Sequence, residues 1–514
     1  MRSTRRSIRG LVIAAVAAAS VALSGCSFIT DEPTLPSSSA TPDVSGVDEE
    51  LVPFYGQELA WSSCGTDFDC ATVRAPLDWD DPTAGDIELS VIRQRATDGE
   101  AEGSLLTNPG GPGASGVDLI RSSIDFAVGT SLQENYDVIG FDPRGVGEST
   151  AVRCFDAADM DAYLFDIPAA ERGSQEWNDE LTARSVEFAE ACDANSEGIL
   201  PYITTVQAAR DMDLLRAVLG DEKLNYLGYS YGTFLGATYA DLYPERVGRL
   251  VLDGAIDPQT SELEVSTTQG IGFESALRAY MTDCLRSSDC PFAGTVDDAM
   301  ADLGTLLASV DRSPLPNTDG RQLGADSLLT GIIAALYSES SWSYLTTALG
   351  NALQGNPATA FQLADFYYAR TGGQYDDNST EAFSAYNCMD YPDDSTPEQE
   401  AAAAVLLAEK APTVAPYWMS DVDGCAAWPT APTGTRGALT ATGADPILVI
   451  GTTGDPATPY EWSVALADQL ASGVLITRVG EGHTGYNKGN TCVDEAVEAY
   501  FVDGTVPQDG LRCE

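Results

Sequence analysis

Short apolar runs bounded by glycine alternate with segments of helical period along the first half of the chain. The runs SLLTN at Ser104, YDVIGFD at Tyr136, KLNYLGY at Lys223 and GRLVLDG at Gly248 have the length and bounding residues of strands buried on both faces. Between the second and third, TVQAARDMDLLRAVLG sets Ala208, Met212, Leu215 and Leu219 on one helical face. Strand and helix in alternation predict an α/β fold, a mostly parallel sheet flanked by crossover helices. The rhythm stops after Asp257. From there to about Thr440 the runs are Ala- and Leu-rich and helical, as in ADSLLTGIIAALY and PEQEAAAAVLLAEKA, separated by Gly and Pro. Strand character returns in PILVIGTTGD at Pro446 and VLITRVG at Val474. The expected organisation is a core over 53–257, an inserted helical cap over 258–440, and completion of the core over 441–514. No fixed-period repeat is evident.

The N-terminus reads as an export signal. Arg2, Arg5, Arg6 and Arg9 precede the apolar run Leu11 to Leu23, which is too short for a comfortable membrane span. The junction Leu23-Ser24-Gly25-Cys26 resembles a bacterial lipobox, so residues 1–25 are expected to be removed and Cys26 to carry a lipid. A plain secretory signal is the alternative, and the pair Arg5-Arg6 leaves the export route open. Residues 26–52, rich in Ser, Thr, Pro, Asp and Glu, read as a disordered tether. Membrane contact is expected only through the lipid.

Composition narrows the partners. The 514-residue chain is 44% hydrophobic and 20% charged, as globular chains are, and carries a formal charge of −51. Such a charge repels nucleic-acid phosphates and excludes nucleic acid as a partner. Of 11 cysteines, assigning Cys26 to the lipid leaves ten, an even set suited to an oxidising compartment. Chain proximity suggests Cys64–Cys70, Cys154–Cys192, Cys284–Cys290, Cys388–Cys425 and Cys492–Cys513, one of the many connectivities ten cysteines allow. C-x-x-C spacing is missing and there is one histidine in the chain, so neither a metal site nor a cofactor is expected.

The candidate chemistry centres on Gly228-Tyr229-Ser230-Tyr231-Gly232. KLNYLGY supplies a strand, YGTFLGATYADLY a helix, and Ser230 stands at their junction, the layout of a nucleophile elbow. A serine hydroxyl needs a base, and His483 in GEGHTGY is the only histidine available. Asp455, ending PILVIGTTGD, lies between them in the chain order of an α/β-hydrolase triad; a turn aspartate is the plain alternative. Thr458 is read as a helix cap or a partner of that carboxylate. The loop TNPGGPGASG after SLLTN offers a second backbone donor, so the N–H groups of Gly111 and Tyr231 are the expected oxyanion hole. A nucleotide loop, Gly111-x-Gly113-x-x-Gly116, competes formally, but Pro112 removes an N–H that a phosphate would use.

Together NPGGPGASG, YDVIGFDPRGVGEST, GYSYGTFLGATYADLYPERVGRLVLDGAIDP and GTTGDPATP…GEGHTGY resemble the actinobacterial secreted tripeptidyl aminopeptidases, serine exopeptidases on the α/β-hydrolase fold. The resemblance runs from about Leu51 to the C-terminus. It implies Ser230, Asp455 and His483 as the triad, Gly111 and Tyr231 as the oxyanion hole, and a peptide substrate cleaved near its free N-terminus. Prolyl-aminopeptidase relatives begin the oxyanion loop with histidine, where this chain has Pro109. An exopeptidase must sense the substrate α-amine, and a buried ammonium requires a carboxylate. Glu274 in GFESALRAY and Asp390 in NCMDYP are the expected partners. An esterase or lipase shares the same triad, and a solute-binding lipoprotein fits the lipobox, tether and charge but not the three hydrolase residues.

Overall fold

The computed structural model describes residues 44–392, 395–418 and 424–514. The export signal, Cys26 and the tether up to residue 43 lie outside them. Val44, Val47 and Leu51 pack against the core, so the stretch expected to be disordered as far as residue 52 is anchored from Val44 onward. Burial of these three apolar side chains offsets the entropy of ordering an otherwise polar segment.

Ten strands form one sheet: β1 (Ser62–Ser63), β2 (Phe68–Pro76), β3 (Asp86–Gln94), β4 (Ser104–Asn108), β5 (Asp137–Phe141), β6 (Leu224–Tyr229), β7 (Val247–Asp253), β8 (Ile447–Gly454), β9 (Gly473–Glu481) and β10 (Leu511–Cys513). Their spatial order is β1-β2-β3-β5-β4-β6-β7-β8-β9-β10. Pairing is antiparallel from β1 through β3 to β5 and parallel from β5 to β10. All six strands expected from the apolar runs are present. The antiparallel β1–β3, not assigned above, include β2 and β3, whose inward and outward residues largely alternate; β10 is too short to have announced itself.

The parallel strands β4 to β8 send side chains into two cores. Leu106, Tyr226, Leu250 and Val449 face one side with the helix Thr205–Leu219, whose Ala208, Met212 and Leu215 are fully buried as expected. Leu105, Leu227, Val251 and Ile450 face the other with the helix Thr491–Asp503. Coverage on both faces explains why these strands read as unbroken apolar runs.

Among the described residues between β7 and β8, the main sheet receives no strand, and this segment holds seven helices of ten residues or more and two hairpins of two-residue strands. Most of it has a separate apolar core, with Leu277, Leu303, Leu307, Ile332, Leu345 and Phe361 at its centre. The helix Ser379–Asp390 instead lays Ala382, Ala385 and Tyr386 onto the sheet-side core. The five disulfides formed are Cys64–Cys70, Cys154–Cys192, Cys284–Cys290, Cys388–Cys425 and Cys492–Cys513. Among the described residues no helix is long and apolar enough to cross a membrane.

Register sets up the site. Asn108 lies beside Gly228, Tyr229 beside Asp253, and Asp253 beside Ile450, so the carboxyl ends of β4, β6, β7 and β8 share one edge of the sheet. Ligand sites of open α/β sheets form at that edge.

Candidate active site

Ser230 separates β6 from the helix Tyr231–Leu242 and holds φ 54°, ψ −124°, a sparsely populated conformation for a residue with a side chain. Three hydrogen bonds maintain it: the Ser230 N–H donates to Asp253 O at 2.9 Å, while Thr233 N–H and Oγ1 donate to Ser230 O at 2.8 and 2.6 Å. Glycine at 232 is required by close approach, since a Cβ there would stand 2.8 Å from Asn108 Oδ1. The strain is held by its surroundings, as in an elbow that presents a hydroxyl above the sheet.

Asp455 follows β8 and is buried. Ala457 N–H and Thr458 N–H donate to its Oδ1 at 3.0 and 2.9 Å, and Thr458 Oγ1 and Thr484 N–H to its Oδ2 at 3.0 and 3.1 Å. His483 Nδ1 lies 2.9 Å from both oxygens. That carboxylate assigns the Nδ1–H tautomer and leaves the Nε2 lone pair free to accept a proton. Thr458 is the partner of that carboxylate, with Oγ1 also 3.3 Å from His483 Nδ1, and not a helix cap: the helix Tyr460–Gln469 starts after Pro459 with no side-chain cap. From the cap side, Tyr337 O accepts the His483 backbone N–H at 2.9 Å, and the Tyr337 ring meets the imidazole edge-on at 5.2 Å.

The structure therefore joins Asp455 and His483 directly. Ser230 and His483 both border the β7 terminus: Ser230 is bonded to Asp253, and a Cβ on the next residue, Gly254, would lie 3.2 Å from His483 Cε1. Among the described residues no Ser230 Oγ–His483 hydrogen bond is formed, and in hydrolases without substrate this contact is often long.

The loop after β4 packs on the elbow. A Cβ on Gly110 would fall 2.8 Å from Ser230 Cβ and 3.2 Å from Tyr231 N. The Gly110 N–H is taken by Asn108 Oδ1 at 2.9 Å, leaving that of Gly111 as the next donor in the loop. Tyr231 is the first residue of its helix, where an N–H has no intrahelical acceptor. Asn108 was not singled out from the sequence, although an asparagine ending a buried strand just before Pro-Gly-Gly was a usable signal. The nucleotide-loop reading fails on chemistry: at the start of the helix Gly116–Ala127, Asp142 Oδ1 already accepts from Ser115 Oγ at 2.6 Å and Val117 N–H at 3.1 Å. A carboxylate sits where a phosphate would have to bind.

Glu274 and Asp390, the expected amine partners, are both buried and hydrogen-bonded within their own chain. Glu274 accepts Thr413 N–H, Thr413 Oγ1 and Val414 N–H at 3.0 to 3.1 Å. Asp390 accepts Thr205 N–H at 3.0 Å and Thr205 Oγ1 at 2.6 Å, and Thr205 Oγ1 lies 2.6 Å from the Tyr231 hydroxyl. Asp390 thus steadies the residue after Ser230 from the helix Ser379–Asp390. Burial pushes its carboxyl up to about 6, and raises that of Glu274 as well. Both carboxylates are buried and accept from donors of their own chain.

Sheet order, elbow and loops define an α/β-hydrolase of the serine class. A family model described as TAP-like protein matches residues 411–513, which include Asp455 and His483. Over 98% of this chain and 97% of the relative, the sequence is 34% identical to serine protease Hip1 of Mycobacterium tuberculosis. It is 38% identical to carboxylesterase B of the same organism over 92% and 95% of the two chains. With the tripeptidyl aminopeptidase of Streptomyces lividans the identity is 30% over 88% and 86%. The chain belongs to this tripeptidyl aminopeptidase family of serine hydrolases.

Proposed function

We propose that this protein is an exported serine exopeptidase that releases short peptides, tripeptides foremost, from free N-termini. Ser230 attacks the scissile carbonyl, and His483 Nε2 takes the hydroxyl proton and returns it to the leaving amine. Asp455 holds the imidazole in the Nδ1–H form and stabilises the imidazolium. The N–H groups of Gly111 and Tyr231 receive the developing oxyanion, and water then releases the acyl fragment. The observation that carries the reading is the chain's one histidine, fixed 2.9 Å from a buried carboxylate at the sheet edge that also bears the strained serine. The names of the Hip1 and Streptomyces relatives favour peptides.

A fluorophosphonate probe tests the serine chemistry: labelling at Ser230, lost in His483→Ala, is expected, and an unlabelled protein returns the solute-binding alternative. Carboxylesterase B among the relatives supports a second reading, ester hydrolysis on the same residues. Turnover of a tripeptidyl amide against an acyl ester, each with the α-amine free and blocked, separates the two. An unchanged amide rate on blocking would remove the exopeptidase claim. The five disulfides favour action outside the cytoplasm. Lipidation at Cys26 anchors the enzyme to the outer face of the cell membrane in this proposal, and Cys26→Ala should release it into the medium.

A further inference from the structure

The end of β7 touches both halves of the proposed machinery. Asp253 is fully buried, and among the described residues its carboxylate makes no direct ion pair, Lys488 and His483 acting on it only through their charge. Its Oδ1 and Oδ2 accept the Gly485 N–H at 2.8 and 3.0 Å, and Oδ2 accepts the Tyr486 N–H at 2.8 Å. These donors follow His483 by two and three residues. The carbonyl of the same residue accepts the Ser230 N–H at 2.9 Å. Gly254, next in the chain, has φ +68° and lies against Thr458 and His483, so that a Cβ would stand 3.0 Å from Thr458 Oγ1 and 3.2 Å from His483 Cε1. The histidine loop is held elsewhere as well: Thr484 N–H donates to Asp455 Oδ2, His483 N–H to Tyr337 O, and Thr484 O accepts from Thr452 Oγ1 and Arg478, but none of these partners also bonds Ser230. Burial of a carboxylate without a counter-ion costs free energy that an apolar residue would not, which requires a reason for its presence.

We propose that Asp253 is a positioning residue for the Ser230–His483 pair, its carbonyl holding the elbow and its carboxylate holding the histidine loop at a set distance from it. The proposal rests on the serine-hydrolase reading above. The carboxylate works through two N–H bonds rather than by touching the imidazole, and it therefore acts on geometry. A misplacement of about 1 Å between reacting groups costs roughly 10²-fold in rate.

Asp253→Asn is the test, because an amide must turn an NH2 toward one of two backbone donors. In the full mature chain, kcat for the tripeptidyl amide should fall about 10²-fold while KM stays within about threefold. Since the protein has one histidine, 13Cε1-histidine labelling yields a single imidazole resonance. That resonance should move in the variant while the far-UV circular dichroism is retained. Should Asp253→Asn not fold, the wild-type enzyme supplies the second measurement. Burial raises the Asp253 carboxyl to about 6, against the opposing N–H bonds and the charges of Lys488 and His483; Tyr229, packed alongside from β6, stays neutral. The acid limb of log(kcat/KM) should then approach a slope of two, and the imidazole resonance should report a second inflection near pH 6. A folded variant with wild-type kcat and an unmoved resonance overturns the proposal, as does a wild-type slope of one with a single inflection. If the wild-type protein itself is not labelled by the fluorophosphonate, the serine-hydrolase reading fails instead; labelling of wild type and variant at equal rates sinks only the role of Asp253.

Discussion

Replacing Asp455 by asparagine changes one atom and disturbs five hydrogen-bond donors. Oδ1 serves the N–H groups of Ala457 and Thr458, Oδ2 serves Thr458 Oγ1 and Thr484 N–H, and His483 Nδ1 is shared between them. An amide has a single acceptor oxygen. With that oxygen toward Ala457 and Thr458, two backbone donors remain satisfied and the Thr458 hydroxyl can rotate, but the NH2 now faces Thr484 N–H and the imidazole. Histidine must then accept at Nδ1 and carry its proton on Nε2, the nitrogen that should take the serine proton. The opposite flip orphans two buried N–H groups. The first arrangement is cheaper, and leaving one donor unsatisfied lowers stability by about 1–3 kcal/mol. The kinetic effect is larger. The wrong tautomer in a serine-protease triad costs about 10⁴ in kcat, or about 5 kcal/mol of barrier. Turnover of a tripeptidyl amide measures the kinetic loss, urea unfolding the loss of stability, and the single histidine resonance the tautomer. A kcat within tenfold of wild type would show that Asp455 does not govern the imidazole.

Gly110→Ala should lower kcat by about 10²–10³ with a smaller change in KM, because at φ +101° the new Cβ falls 2.6 Å from Tyr229 O and pushes the Gly111 donor off the oxyanion; steady-state kinetics decide. Arg144→Ala should destabilise the fold by about 3–5 kcal/mol in denaturant unfolding, since fully buried Arg144 pairs bidentately with buried Asp211 at 2.7 and 2.8 Å and its loss strands that carboxylate. Burial raises Asp253 and Asp390 to about 6 and Glu381 to about 7, from ordinary values of 3.8 and 4.5. The folded chain therefore holds protons that the unfolded chain has released: this stabilisation is complete below about pH 4 and is lost as pH rises through 6 to 7. Calorimetry should give a higher Tm at pH 5 than at pH 7.5, and the reverse order would contradict it. The lowered carboxyls of Asp161 and Asp319 act below that window.

Legibility followed the range of the interactions involved. The parallel strands were readable because coverage on both faces leaves them uniformly apolar, whereas β2 and β3, with their mixed inward and outward pattern, were passed over. Ser230, Asp455 and His483 could be nominated because each ends or follows a strand and because one histidine leaves no choice of base. Glu274 and Asp390 show the opposite case. As acids in cap helices they looked available for a substrate amine, and the partners that occupy them, Thr413 and Thr205, lie 139 and 185 residues away in the chain. Asn108 had only its place before Pro-Gly-Gly to mark it, and Tyr337 and Asp253 carry no local signal of their own beyond position at a helix or strand end.

By itself the order of residues determined the fold class, the nucleophile elbow and the sole possible base, because strand periodicity, turn chemistry and a count of one are local or global properties of a string. Tertiary structure alone decided which partners in the chain Glu274 and Asp390 accept from, which N–H of the glycine loop after β4 is left over, and that one β7 residue bonds to both the serine and the histidine loop. Those outcomes depend on register across β4, β6, β7 and β8 and on angstrom-scale distances between segments far apart in sequence, and no pattern along the chain encodes them separately.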